Sequence, residues 1–215
     1  MSEDNKDLLL EINKTLKTLV SQFYYRPHIF FKESEFQHYF YSVFYKNLGA
    51  QLFTTKDGKQ VNLVHPEYEG ARKIPGKWRP CYDMVILNPK FIERNLYERV
   101  TSKDISKIND IEKDDLLAIF ELKFIPKNTT AFVKQLEKDY VSISNAREGL
   151  HRYMVVFSLV QDDKDVLEFL SKKEWDERVH LVYTKVSFDK KNKKRVEVLI
   201  KPDNFLNLPS KWLKK

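Results

Sequence analysis

The sequence predicts an α/β protein built on a mixed β-sheet with helices on both faces. Two observations carry this. Helical and strand periodicities alternate along the chain, in the order helix, helix, strands, one long strand, helix, strand, helix, strands. In addition, the run Leu116 to Pro126 (LLAIFELKFIP) is apolar on both faces, as a central strand covered from either side must be. That run carries two charges, Glu121 and Lys123, where burial should exclude them. Residues two apart in a strand share a face and lie about 7 Å apart, so the carboxylate and the ammonium project together. Leu117 and Ile119 precede them on that face, Phe120, Leu122 and Phe124 take the other, and Pro126 ends the strand. An acid two residues before a lysine occurs at four other places, Asp4/Lys6, Asp57/Lys59, Asp162/Lys164 and Asp189/Lys191, all in polar sequence. Only Glu121/Lys123 interrupts an apolar strand.

The elements follow in chain order. Leu9, Ile12, Leu16, Leu19 and Phe23 recur at three- and four-residue steps, which predicts a helix from Asp4 to Tyr24, broken at Pro27. A second helix, Ser34 to Leu48, buries Phe36, Phe40, Val43 and Phe44 and is capped at Gly49. Continuing its period backwards sets Glu33 over the apolar face and Glu35 to the side. Ala50 to Thr54 and Val61 to His65 read as short strands around an Asp57-Gly58 turn. A basic loop, Glu67 to Arg79, follows. Its Gly70 and Gly76-Lys77 stand one residue too far apart for a phosphate-cradling loop, and Trp78 occupies the position that needs a hydroxyl. The strand Cys81 to Leu87 carries Asp83 on the face of Val85 and Leu87, a second carboxylate inside an apolar run.

Pro89 to Asp115 is highly charged, nearly balanced in sign, and reads as an insertion between two strands. After the central strand comes a helix from Thr129 to Asn145 facing inward through Phe132, Leu136, Tyr140 and Ile143, with Gln135 and Asp139 along one edge of that face. A strand Arg152 to Val160, a helix Val166 to Glu177 and strands His180 to Ser187 and Arg195 to Lys201 complete the chain. Asp162 and Asp163 read as charges at a helix start. The whole 215 residues suit one domain: an N-terminal helical extension (1–32), a core (33–160) interrupted by the insertion (88–115), and a C-terminal helix, hairpin and basic tail (161–215).

Composition narrows the function classes. Hydrophobic residues at 42% support a core, and the single Cys81 excludes an intramolecular disulfide and argues against a zinc knuckle, so the reducing cytoplasm is the expected compartment. No segment approaches the roughly 20 apolar residues of a membrane span, and none reads as a signal peptide. Five histidines stand without ligand spacing, no Gly-x-Ser-x-Gly elbow is present, and no internal repeat is visible. The formal net charge is +7; residues 185–215 hold 10 basic and 3 acidic side chains, so the excess is all C-terminal, where it can attract phosphate.

Glu33 at the start of a helix, Asp83 in a strand, and Glu121-Leu122-Lys123 in the next strand with a helix directly after it together resemble the PD-(D/E)XK nuclease superfamily, the restriction-endonuclease-like fold. The resemblance covers roughly residues 33–160. Tyr82 stands where the family name has proline, and the insertion after Asp83 is long. Gln135 with Tyr140 is similar to a helix motif of one branch of the superfamily, with one extra residue of spacing. The resemblance implies a metal-dependent nuclease acting on nucleic acid, with DNA rather than RNA the expected substrate and a homodimer left open; the absence of a spanning segment sets the expectation of no membrane partner. It implies Mg²⁺ or Mn²⁺ held by Asp83, Glu121 and Glu33, with Lys123 assisting the nucleophile and Gln135 as a peripheral polar contact. The chemistry suits these residue types: carboxylates are hard ligands for such cations, and an adjacent ammonium meets charge developing on a phosphoryl group. Two other readings stay open: a non-catalytic member of the same fold that binds nucleic acid or protein, and a plain buried ion pair, for which Asp83 and Glu121 would lie far apart.

Overall fold

In the computed structural model, the described residues are 3–30, 32–49, 51–69, 81–101, 115–126, 130–146, 148–172, 175–188, 194–202, 205, 206 and 208. The basic loop after residue 69, most of the insertion (102–114), the hairpin turn 189–193 and the tail 209–215 lie outside them. Six strands form one mixed sheet in sequence order: β3 (Val64–Glu69), β4 (Cys81–Leu87), β5 (Leu116–Ile125), β6 (His151–Ser158), β7 (Val179–Phe188) and β8 (Lys194–Lys201). β3, β4 and β5 run antiparallel, β5, β6 and β7 run parallel, and β8 returns antiparallel to β7. Among the described residues no helix is long and apolar enough to cross a membrane.

The central position expected for Leu116 to Pro126 is where β5 lies, buried at nine of its ten residues. Its two faces meet different helices. On one side, α1 (Glu3–Tyr25) and α2 (Glu33–Leu48) form an aromatic layer with the strand. Phe124 touches the rings of Phe23, Phe30 and Phe36, while Phe120 meets Phe40 and Phe44. On the other side, α5 (Thr130–Ser144) packs over β5 and β6 through Leu136, Tyr140 and Ile143, with α6 (Lys164–Lys172) beside it. Arg152, only 1% exposed, donates to Ser144 O at 3.0 Å and Ala146 O at 2.6 Å, satisfying carbonyls at the end of α5 that the helix itself leaves open.

The structure corrects the sequence reading in three places. The single strand expected at Val61–His65 is two: β2 (Gln60–Asn62) pairs with β1 (Leu52–Thr54) in a separate hairpin, whereas β3 joins the main sheet. Asn62 makes the break. Its Oδ1 accepts from Val64 N at 2.8 Å and its Nδ2 donates to Gly49 O at 2.7 Å, a side-chain turn that redirects the backbone. Glu67, expected to begin the basic loop, belongs to β3 instead; Pro66 is tolerated there because β3 is an edge strand. The helix expected to reach Glu177 ends as α6 at Lys172. Beyond it Asp176 holds the Arg178 amide and guanidinium and gives its own amide to the Tyr140 hydroxyl, and Trp175 donates to Val179 O, so these residues are bonded outside a helix. The described part of the insertion forms α3 (Pro89–Arg94) and α4 (Tyr97–Thr101). α3 packs on β1, and Lys56 N bonds to Asn95 O.

Candidate active site

The site begins where two strands part. The ladder between β4 and β5 ends at Met84–Phe120, although β4 stays paired with β3 back to Cys81. The next amide facing β4 is that of Leu122, and it donates to the Asp83 carboxylate instead of a backbone carbonyl, at 2.7 Å to Oδ2. The other oxygen, Oδ1, accepts from Gln37 Nε2 at 3.0 Å. Asp83 is therefore fixed from the sheet by one bond and from α2 by another.

Opposite it stands Glu121, 8% exposed. Burial pushes its pKa up to about 9, helped by the negative charges of Asp83 and Asp139 and by a hydrogen bond to Asp83. Burial likewise raises Asp83 to about 6, against the opposing pull of the Leu122 amide and Lys123. The two carboxyl groups are thus hydrogen-bonding neighbours, and at neutral pH the pair holds a proton that two isolated carboxylates would have lost.

Lys123 does not pair with its strand neighbour Glu121. Its Nζ donates to Glu33 Oε1 at 2.7 Å and lies 3.2 Å from Asp139 Oδ2. Burial disfavours the ammonium, but Asp139 and Glu33 together outweigh it and hold the pKa above the ordinary lysine value. Glu33 and Gln37 are one turn apart on α2, so a single helical edge grips both Lys123 and Asp83.

The sequence-based candidates Asp83, Glu121, Lys123 and Glu33 are brought together. Gln135 is exposed on α5, and Asp139, four residues further along the same edge, is the side chain that this helix sends to the site. Two contributors, Gln37 and Asp139, do not stand out in the sequence; both sit on helix edges that its periodicity reveals, but nothing in the pattern ranks them above Glu35 or Gln135.

Among the described residues no group of three or more histidine, cysteine, aspartate or glutamate side chains is arranged to hold a metal ion. The donor chemistry of the pair nonetheless fits Mg²⁺ or Mn²⁺: two carboxyls whose pKa values are raised by burial and by neighbouring acids are relieved by a divalent cation, and magnesium is commonly bound through one or two carboxylates plus water and phosphate oxygens. No family model matches the sequence, and neither a curated protein nor a solved structure matches it.

Proposed function

We propose that the chain is a metal-dependent nuclease of the PD-(D/E)XK type, on a restriction-endonuclease-like fold, that hydrolyses phosphodiester bonds, with DNA as the first substrate to test and RNA the second. One observation carries this reading: the carboxyl groups of Asp83 and Glu121 lie within hydrogen-bonding reach, with the ammonium of Lys123 on the same face of β5. In this reading Asp83 and Glu121 would hold Mg²⁺ or Mn²⁺, with Glu33 near enough to contribute. A bound cation of this kind lowers the pKa of water and neutralises charge on phosphoryl oxygens. Gln37 and the Leu122 amide hold Asp83 in place, and Lys123, kept charged by its acidic partners, supplies a hydrogen-bond donor for the attacking water or a phosphoryl oxygen.

A second reading has one observation in its favour. Lys123 is already bound by two carboxylates, as a purely structural lysine would be, and a non-catalytic protein of this fold that binds nucleic acid would look the same. The test is cleavage of single- and double-stranded DNA and RNA with Mg²⁺, Mn²⁺ or chelator, alongside the Lys123→Ala variant. Cleavage that needs metal and drops about 10²-fold or more in the variant supports the enzyme. Tight binding with no cleavage under any condition selects the second reading.

A further inference from the structure

Lys123 Nζ has three N–H donors, and two are committed to carboxylates that come from opposite faces of the sheet, Glu33 from α2 and Asp139 from α5. The two holds differ in firmness. Glu33 is the first residue of its helix, where the end is least constrained. Asp139 lies inside α5, next to Tyr140, whose buried ring packs 4.4 Å from Trp175 and whose hydroxyl accepts from Asp176 N at 2.9 Å. Leu136 and Ile143, both fully buried, fix the same helix a turn to either side.

Resting on the reading of Lys123 as the amine of a phosphodiester site, we propose that Asp139 is the positioning residue that aims it. Asp139 holds the ammonium beside the Asp83–Glu121 pair whatever partner Glu33 takes, and leaves one N–H for water or a phosphoryl oxygen. A side chain with four rotatable bonds is otherwise free to swing away, and misplacement by about 1 Å is enough to slow a reaction by up to about 10²-fold.

The test combines Asp139→Asn, Asp139→Glu, Lys123→Ala and the double variant Asp139→Asn/Lys123→Ala. Two quantities are measured: Mn²⁺-dependent cleavage, and the rate at which an acylating reagent modifies Lys123 in the metal-free full chain, read by mass spectrometry. At saturating Mn²⁺, which removes any effect of the Asp139 charge on the neighbouring carboxyls, Asp139→Asn should lower kcat about 10- to 100-fold with little change in KM, and Asp139→Glu should recover part of it. In the Lys123→Ala background Asp139→Asn should cost no more than about twofold, because the residue it positions is gone. Acylation of Lys123 should accelerate in Asp139→Asn. Equal losses in both backgrounds, or unchanged acylation, overturn the assignment even in a chain that cleaves. A wild-type chain that cleaves nothing, yet whose Lys123 acylates faster after Asp139→Asn, removes the nuclease reading and leaves the clamp.

Discussion

Glu121 carries a proton at neutral pH because its surroundings are dry and, secondarily, its neighbours are acids. An unfolded chain would release that proton near pH 4, whereas the fold retains it to about pH 9, and Asp83 adds a smaller difference with its value near 6. Across that window these two groups bind more protons in the native state than in the unfolded state, so their contribution to stability falls as pH rises. Below about pH 7 the half-buried histidines His65, His151 and His180, whose pKa values burial lowers, act in the opposite sense. The loss of stability in the metal-free protein should therefore show from about pH 7 to pH 9, at up to about 1.4 kcal/mol per pH unit for one such proton. Glu121→Gln keeps the shape and removes the titration, so it should flatten that slope and raise the metal-free melting temperature at pH 8. The same change should weaken Mn²⁺ binding and cleavage together. Melting curves across pH for both proteins decide this; a slope that survives the substitution locates the retained proton elsewhere. In the proposed metal site cation and protons would compete for the same oxygens, so stabilisation by Mg²⁺ or Mn²⁺ should be larger at pH 8 than at pH 5.

The strand with misplaced charges is legible from period-two alternation alone, and so are Asp83 and the aromatic faces of α1 and α2, because burial on a strand or helix is written in local spacing. Which polar residue on a helix edge turns towards the sheet is not. Gln135 and Asp139 share an edge of α5, and only the packing of that helix on β5 brings Asp139 to Lys123. The split between β2 and β3 is hidden for a related reason, since Asn62 breaks the strand through a bond to Gly49, thirteen residues away. Gly49 itself reads correctly as the cap of α2, but its φ of −88° is open to any residue. Space is what excludes a side chain there: a Cβ would lie 2.7 Å from both Asn62 Nδ2 and Tyr45 O. Gly49→Ala should therefore destabilise the protein by about 1–3 kcal/mol. Denaturant titration checks this; a neutral substitution would mean that Asn62 gives way freely.

At the scale of the molecule, the excess positive charge divides into two kinds. Lys194 donates to Tyr24 O and Tyr25 O at the end of α1, and Lys201 donates to Leu170 O near the end of α6. These lysines sit on helix C-termini, where a cation is favourable without any ligand. Charge counting from sequence cannot separate such caps from a nucleic-acid surface. The remaining C-terminal excess includes Lys211, Lys214 and Lys215, outside the described residues, and these are the candidates for phosphate binding. Deleting 209–215 should weaken binding to any DNA sequence alike and reduce the slope of log affinity against log salt, by about 0.9 for each duplex phosphate that the tail would otherwise neutralise. An unchanged slope would remove the tail from the interface.

The parting of β4 from β5 places one backbone proton under the control of one carboxylate. A ladder amide ordinarily rests on a carbonyl, indifferent to pH, but Leu122 N–H rests on Asp83. Its NMR resonance is consequently a resident indicator of the state of that side chain. In metal-free protein it should shift with an inflection near pH 6, and saturating Mg²⁺ should carry that inflection to lower pH. On the proposed reading, cation binding at Asp83 can thus be followed from the peptide backbone, without a substrate and without a turnover.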